Sequence, residues 1–296
     1  MTFARRPRFE WQLRTRALPL GARTAIMGVL NVTPDSFSDG GAHFSAEAGV
    51  SHAISMLDQG ADVVDIGGES TRPGSPELGP QAEQDRILPV ISAILRERPS
   101  SVLSVDTYHA ATARAAIRAG AEIVNDVSAF TWDPVMAAAC ADLRCGVVLM
   151  HTRGRPTEWH NLPRLALSEV VRLVKDGLAG ALDRASAAGV ERSRIVLDPG
   201  FGFGKVHDEN YPLLAHFEEF LPLGRPLLAG VSRKSFLGRT VAVRLGIPQI
   251  LPNQRGSATL AGSTAAILSG ASLIRVHDVR PAIEAAAIAD AVLAAL

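Results

Sequence analysis

The stretch Ser101-Val102-Leu103-Ser104-Val105-Asp106-Thr107-Tyr108-His109-Ala110-Ala111-Thr112-Ala113-Arg114-Ala115-Ala116-Ile117-Arg118-Ala119-Gly120-Ala121-Glu122-Ile123-Val124-Asn125-Asp126 holds one full turn of the pattern that organises the chain. A short apolar run ends in Asp106. The alanine-rich segment Ala110–Ala119 follows, stops at Gly120, and a second apolar run, Glu122–Asp126, begins. Continuous apolar runs of this length suit strands buried on both faces of a parallel sheet. A glycine just past a helical stretch suits a C-cap. The spacing predicts strand, helix, glycine stop and strand: one βα repeat.

The same pattern extends in both directions. Apolar runs that finish in a polar residue occur at Thr24–Asn31, Ala61–Gly67, Ser101–Asp106, Glu122–Asp126, Gly146–His151, Arg194–Asp198, Pro226–Ser232 and Ser272–His277. Between them, Ala46–Gln59 places Ala48, His52, Ile54, Met56 and Leu57 near one stripe ahead of Gly60, and Leu165–Ala188 runs to Gly189. Eight parallel repeats predict an α/β fold of the (β/α)8 barrel type, with an open doubly wound sheet as the competitor. Residues 1–23 are too short for a domain. They are expected to be an N-terminal extension, a small cover such as a hairpin, over the bottom of a barrel spanning 24–296.

Composition is consistent with one barrel. The chain has 296 residues, 47% apolar and 20% charged, and such barrels run to about 250 residues and more with insertions. Thirty basic residues balance thirty acidic ones, which gives no electrostatic reason to expect nucleic-acid or membrane-surface partners. The basic, mixed start lacks the apolar core of a secretory signal, and no run reaches the roughly 18 apolar residues of a membrane span. Two cysteines, Cys140 and Cys145, are too few for a disulfide framework or a four-ligand zinc site. A soluble protein of the reducing cytoplasm is expected.

In a barrel the chemistry sits at the C-terminal ends of the strands. Here those ends carry Asn31, then Glu69 to Arg72 beyond the second run, Asp106, Asn125-Asp126, Met150-His151, Asp198, Ser232-Arg233-Lys234, and Arg275 with His277. Any one of them could be a turn or capping residue, but polar groups at all eight ends are hard to obtain from capping alone. Two carboxylates, an amide and a lysine (Asp106, Asp198, Asn125, Lys234) suit a planar 2-amino-4-oxo pyrimidine such as pterin or guanine. Arg275, His277 and Asn31 offer cationic donors and an amide oxygen. Together these fit a phosphate and a shared Mg2+. Turn-rich loops after the first and second strands are candidate lids. The Gly200 to Lys205 run lacks the spacing of a phosphate loop.

At these same residues the chain resembles the dihydropteroate synthase family. The matching runs are Leu30-Asn31-Val32-Thr33-Pro34-Asp35-Ser36-Phe37-Ser38-Asp39-Gly40-Gly41, Asp65-Ile66-Gly67-Gly68-Glu69-Ser70-Thr71-Arg72-Pro73-Gly74, Ser104-Val105-Asp106-Thr107 and Asn125-Asp126-Val127-Ser128. Asp198-Pro199-Gly200-Phe201-Gly202-Phe203-Gly204-Lys205, Gly230-Val231-Ser232-Arg233-Lys234-Ser235-Phe236 and Arg275-Val276-His277-Asp278-Val279 follow in family order. The resemblance implies a transferase of folate biosynthesis that joins 6-hydroxymethyl-7,8-dihydropterin diphosphate to 4-aminobenzoate, and hence a sulfonamide target. By position, Asp106, Asn125, Met150, Asp198, Gly230 and Lys234 would bind the pterin. Thr71, Arg72, Pro73, Phe203, Lys234 and Ser235 would bind aminobenzoate. Asn31, Arg275 and His277 would meet the diphosphate, with Asn31 on Mg2+. Asp106, Lys234, Arg275 and His277 would carry the catalysis. The resemblance also implies a homodimer. The chain departs from the pattern after the fifth strand, at Thr152 to Asn161, and at Ala129, where glycine is common. A pterin-binding methyltransferase-like domain and an inactive paralogue are the competing readings.

Overall fold

Side chains alternate across a strand, so every second residue of a barrel strand faces the barrel axis. That rule organises the structure, a computed structural model that describes residues 3, 6–32, 41–69 and 78–296. Eight strands form one parallel sheet: β3 (Ala25–Asn31), β4 (Val63–Gly67), β5 (Leu103–Asp106), β6 (Ile123–Asp126), β7 (Gly146–Met150), β8 (Ile195–Asp198), β9 (Leu228–Ala229) and β10 (Leu273–Val276). They pair in the order β8-β7-β6-β5-β4-β3-β10-β9. A parallel bridge between Leu197 and Leu227 joins the two ends. The fold is the expected TIM barrel.

Helices cover the outside: α1 (Gly41–Asp58), α2 (Pro80–Glu97), α3 (Ala110–Arg118), α4 (Met136–Leu143), α5 (Val170–Ala187), α6 (Tyr211–Ala215), α7 (Ser235–Leu245), α8 (Gly256–Leu268) and α9 (Val279–Ala294). Gly120 and Gly189 adopt φ of +113° and +87°, the left-handed stops that their places after α3 and α5 call for. The outward residues of the strands, such as Val64, Ile66, Leu103, Val105 and Val124, join these helices in the main apolar core.

The inward face is divided along the axis. Met27, Val63, Ile123, Val148, Val196, Leu228 and Leu273 form an apolar layer at the start of their strands. Two residues further along five of these strands stand Asp65, Asn125, Asp198, Gly230 and Arg275, and Met150 follows on β7. The polar endings of the sequence runs are therefore the continuation of one face, apolar below and polar above.

Below the apolar layer lies an antiparallel hairpin of β1 (Phe9–Gln12) and β2 (Ala17–Leu20). Its Trp11 is fully buried against the layer, with Leu13 and Leu20. The indole Nε1 donates to the Arg194 carbonyl at 2.7 Å. Arg194 in turn donates to the Leu13 carbonyl at 2.7 Å.

Three boundaries differ most from expectation, the first being α1, which starts at Gly41 rather than Ala46. The seventh strand shrinks from Pro226–Ser232 to Leu228–Ala229. Pro226 has no N–H to give, so it takes part only as an acceptor, from the Leu197 N–H at 2.9 Å. The chain leaves the ladder at Gly230, and its turn brings Arg233 to a φ of +57°. The fifth helix starts at Val170 rather than Leu165. The Leu165 N–H is taken by the Glu209 carboxylate at 2.9 Å, which holds that residue outside the helix.

Truncating a fully buried indole commonly costs about 3–5 kcal/mol. Trp11→Ala should lose stability of this size in chemical denaturation while leaving ligand affinity at the far end of the barrel intact. Loss of affinity at unchanged stability would contradict the division between bottom and mouth.

Candidate active site

Arg275 stands at the centre of the polar layer. Strand register places it opposite Met27, which is opposite Val63, so its Cα lies one level below Asp65. Its long side chain reaches upward. Nε donates to Asp65 Oδ2 at 2.7 Å, and Nη2 donates to Asp106 Oδ2 at 2.7 Å. Asn125 Nδ2 donates to the same Asp65 oxygen at 2.9 Å. Burial opposes the guanidinium charge, but Asp65 and Asp106 outweigh it and the group is held firmly cationic.

Asp65 has no place among the site residues expected from sequence. It is fully buried, and its Oδ1 makes no hydrogen bond among the described residues. A signal was available: a carboxylate in the middle of the strand Val63-Val64-Asp65-Ile66-Gly67 contradicts the apolar pattern of a strand buried on both faces.

The charges around this centre are strongly perturbed. Burial pushes the Asp106 carboxyl up to about 7, with Arg275 opposing and Asp65, Glu83 and Asp126 reinforcing the rise. Burial likewise lifts Asp198 to about 6 against the Gly200 N–H and the nearby Lys234 and Arg275 cations. The Gly200 N–H donates to Asp198 Oδ1 at 2.7 Å. Lys234 is lowered to about 8, by burial first and then by Arg275. Its Nζ lies 4.1 Å from the centre of the Phe203 ring, a cation–π distance. A Cβ at Gly230 would stand 3.6 Å from Asp198 Oδ2 and 3.9 Å from the Arg275 Cβ, so a side chain there would crowd the space between them.

His277 shares the rim with Ser232. The Ser232 hydroxyl lies 2.9 Å from His277 Nδ1 and accepts from the His277 N–H at 3.2 Å. Burial, then Arg275, lower the imidazole to about 3. His277 is expected from sequence as a cationic donor, but burial leaves its ring neutral at pH 7. Ser235 is the first residue of α7, whose open N–H groups and positive dipole end face the rim. Asn31 ends β3, half-buried. Thr71, Arg72 and Pro73 lie outside the described residues. Nearby, the Glu69 carboxylate accepts from the Tyr108 hydroxyl at 2.9 Å and the Leu78 N–H at 3.2 Å.

An aromatic wall rises beside the polar layer. Met150, Tyr108 and Val127 cluster there with Trp132 and Phe203. The atypical loop after β7 builds its outer side. Trp159 meets Phe203 edge-on, ring centres 5.6 Å apart, and donates to the Gly154 carbonyl at 3.1 Å. Arg153 donates to the carbonyls of Gly204 and Pro163, each at 2.9 Å. The Arg155 guanidinium lies 5.2 Å from the Trp132 ring centre. Beneath the loop, buried Lys205 has its Nζ 3.1 Å from both His151 Nδ1 and the Phe203 carbonyl. Burial lowers Lys205 to about 7. Ala129 holds a φ of +49°, accommodated by the turn in which Asp126 accepts from the N–H groups of Ser128 and Phe130 at 2.7 and 2.8 Å.

The arrangement offers two acceptors, an amide and two cations in a buried ring, with a flat apolar wall on one side. That suits a planar, hydrogen-bonding heterocycle next to an anion. If Arg275 restrains the rise at Asp106, Arg275→Met should move the Asp106 carboxyl titration upward from about 7. NMR of the aspartate carboxyls measures this directly, and a fall would refute the pairing.

Comparison with known proteins agrees with the geometry. The family model described as pterin binding enzyme matches residues 27–277. The chain is similar to the dihydropteroate synthase of Escherichia coli strain K12, 41% identical over 272 residues that cover 91% of this chain and 92% of the relative. It is similar in structure to the dihydropteroate synthase of Xanthomonas albilineans solved with 4-aminobenzoic acid, with a TM-score of 0.86 and 41% identity over 98% of this chain and 99% of the other. The Yersinia pestis dihydropteroate synthase in complex with a sulfonamide drug superposes with a TM-score of 0.87 at 39% identity, covering 97% of this chain and 100% of the other.

Proposed function

The chain belongs to the pterin-binding dihydropteroate synthase family, and from that premise we propose how its residues divide the work. The family's reaction condenses 6-hydroxymethyl-7,8-dihydropterin diphosphate with 4-aminobenzoate in folate biosynthesis. A C–N bond forms at the pterin methylene as its C–O bond to diphosphate breaks, and the amine proton leaves to solvent. The observation that carries the assignment is the clustering of Asp106, Asn125, Asp198, Lys234 and Arg275 at the barrel mouth.

Asp106, Asn125 and Asp198 accept and donate along the pterin's hydrogen-bonding edge, Lys234 faces its carbonyl, Met150 packs against the ring, and Gly230 leaves the space open. An Asp106 carboxyl near 7 in the free protein becomes fully ionised beside the donors of the pterin and the positive charge that develops at the methylene. The aniline amine is nucleophilic in its neutral form, so no strong base is required. Phe203, Lys234 and Ser235 shape the aminobenzoate side, where sulfonamides compete, and the family resemblance assigns Thr71, Arg72 and Pro73 to the same substrate. Arg275 and neutral His277 receive the diphosphate, and the arrival of that anion favours protonation of the imidazole.

Mg2+ keeps several waters and phosphate oxygens and needs only one or two protein oxygens. A half-buried Asn31 amide on the strand beside Arg275's strand fits that demand. When bound, the ion would neutralise charge on the departing diphosphate. Two buried free cysteines and the lack of a membrane-length apolar helix among the described residues support a cytoplasmic setting. Val243 and Leu245 on α7 and Ile288 and Val292 on α9 are exposed apolar side chains on the two helices that pack against α8. They support a homodimer through that face. Sedimentation of Val243→Glu should show a shift from dimer to monomer; a wild-type chain that sediments as a monomer would refute it.

The reaction is tested by diphosphate release with both substrates, with and without Mg2+. Turnover should need both substrates and rise with Mg2+. Asp106→Asn should lower it by a factor on the order of 10²–10³, and wild-type turnover in that variant would remove Asp106 from its assigned role.

A further inference from the structure

Asp65 is a buried charge in an expensive position. It lies one level deeper than Asp106, since Gly67 pairs with Asp106 and Asp65 with Ser104. Its neighbours on the strand, Val64 and Ile66, are fully buried aliphatics. A carboxylate there carries a desolvation cost of several kcal/mol, and an apolar side chain would pack more stably. Stability therefore gives no reason for an aspartate at this point.

Its contacts do. In the sheet order, β6 and β10 each lie two strands from β4, on opposite sides. Asp65 Oδ2 receives Asn125 from β6 and Arg275 from β10. One oxygen thus ties together groups assigned to the pterin and to the diphosphate. The guanidinium is held by two edges with different prospects. Its Nε edge rests on enclosed Asp65, while its Nη2 rests on Asp106, the carboxylate that the pterin's donors approach.

We propose that Asp65 is a positioning residue for the leaving-group end of the reaction: it fixes the Nε edge of Arg275 while the Nη edge passes from Asp106 to the phosphate oxygens of the substrate. Pterin entry and diphosphate capture are then linked through one guanidinium that pivots on Asp65. The proposal rests on the assignment of Arg275 to the diphosphate made above. Such positioning is worth about 10²-fold when reacting groups shift by an ångström.

Asp65→Asn retains an oxygen for the Nε–H but removes the charge. Calorimetry should show binding of inorganic diphosphate weakened at least tenfold, with binding of bare 6-hydroxymethylpterin nearly unchanged. kcat/KM for the pterin diphosphate should fall about 10²-fold. The groups that act on Asp106 are Arg275 on β10, Asp65 on β4, Glu83 on α2 and Asp126 on β6. Removing one anion from this set lowers the Asp106 pKa, so the acid limb of the pH–rate profile should move to lower pH. In an Arg275→Ala background the Asp65 change should add no further loss of diphosphate affinity, whereas a merely structural role would add its loss in both. Asp65→Ser, of smaller volume, provides the same readings if the Asn variant does not fold. Wild-type diphosphate affinity and pH profile in a folded Asp65 variant, while Arg275→Ala loses that affinity, would overturn the proposal alone. Full diphosphate affinity in Arg275→Ala would overturn the assignment beneath it as well.

Discussion

Arg275 lies 2.7 Å from Asp65 and 2.7 Å from Asp106, and this buried triad sets the charge of everything above it. Each ion alone would cost several kcal/mol to bury, and breaking such a group by removing one member commonly costs about 3–5 kcal/mol. Burial, reinforced by the surplus carboxylate, leaves Asp106 near 7 rather than near its ordinary value. Burial, and then the guanidinium, depress Lys234 and His277. A site with movable protons at neutral pH follows from packing two anions and a cation into the core of a barrel, with no further device required.

That triad also shows where the sequence is informative and where it is silent. Strand alternation made the ring legible, because Asn125, Asp198 and Arg275 each stand two residues beyond an apolar inward residue of the same strand. Asp65 obeys the same count from Val63, but it lies within its run rather than at the end, so run endings alone do not reveal it. The charge state of His277 was beyond reach for a different reason. It depends on burial and on Arg275, which sits two residues away in sequence and whose field at the ring follows from the folded geometry. The start of α5 is not legible locally because its competitor, the Glu209 carboxylate, lies 44 positions from Leu165.

The loop after β7, which departs from the family pattern, has a physical place. Trp159 and Arg153 brace the Gly200–Lys205 turn from outside, while Lys205 braces it from beneath. Phe203 is held between them. Aromatic edge contacts and bonds to backbone carbonyls are tolerant of the residues that make them, so this loop can hold Phe203 beside Lys234 with its own sequence.

The hairpin beneath the barrel has a consequence for the time at which the molecule becomes whole. Trp11 waits for a carbonyl 183 residues later, and Arg6 for one 265 residues later. At ribosomal speeds of about 5–20 residues per second, the first of these partners emerges on the order of ten to forty seconds after the tryptophan. Through that interval the growing chain carries an indole and two leucines with no floor to cover, and the nascent protein is a natural client for chaperones until its eighth strand arrives.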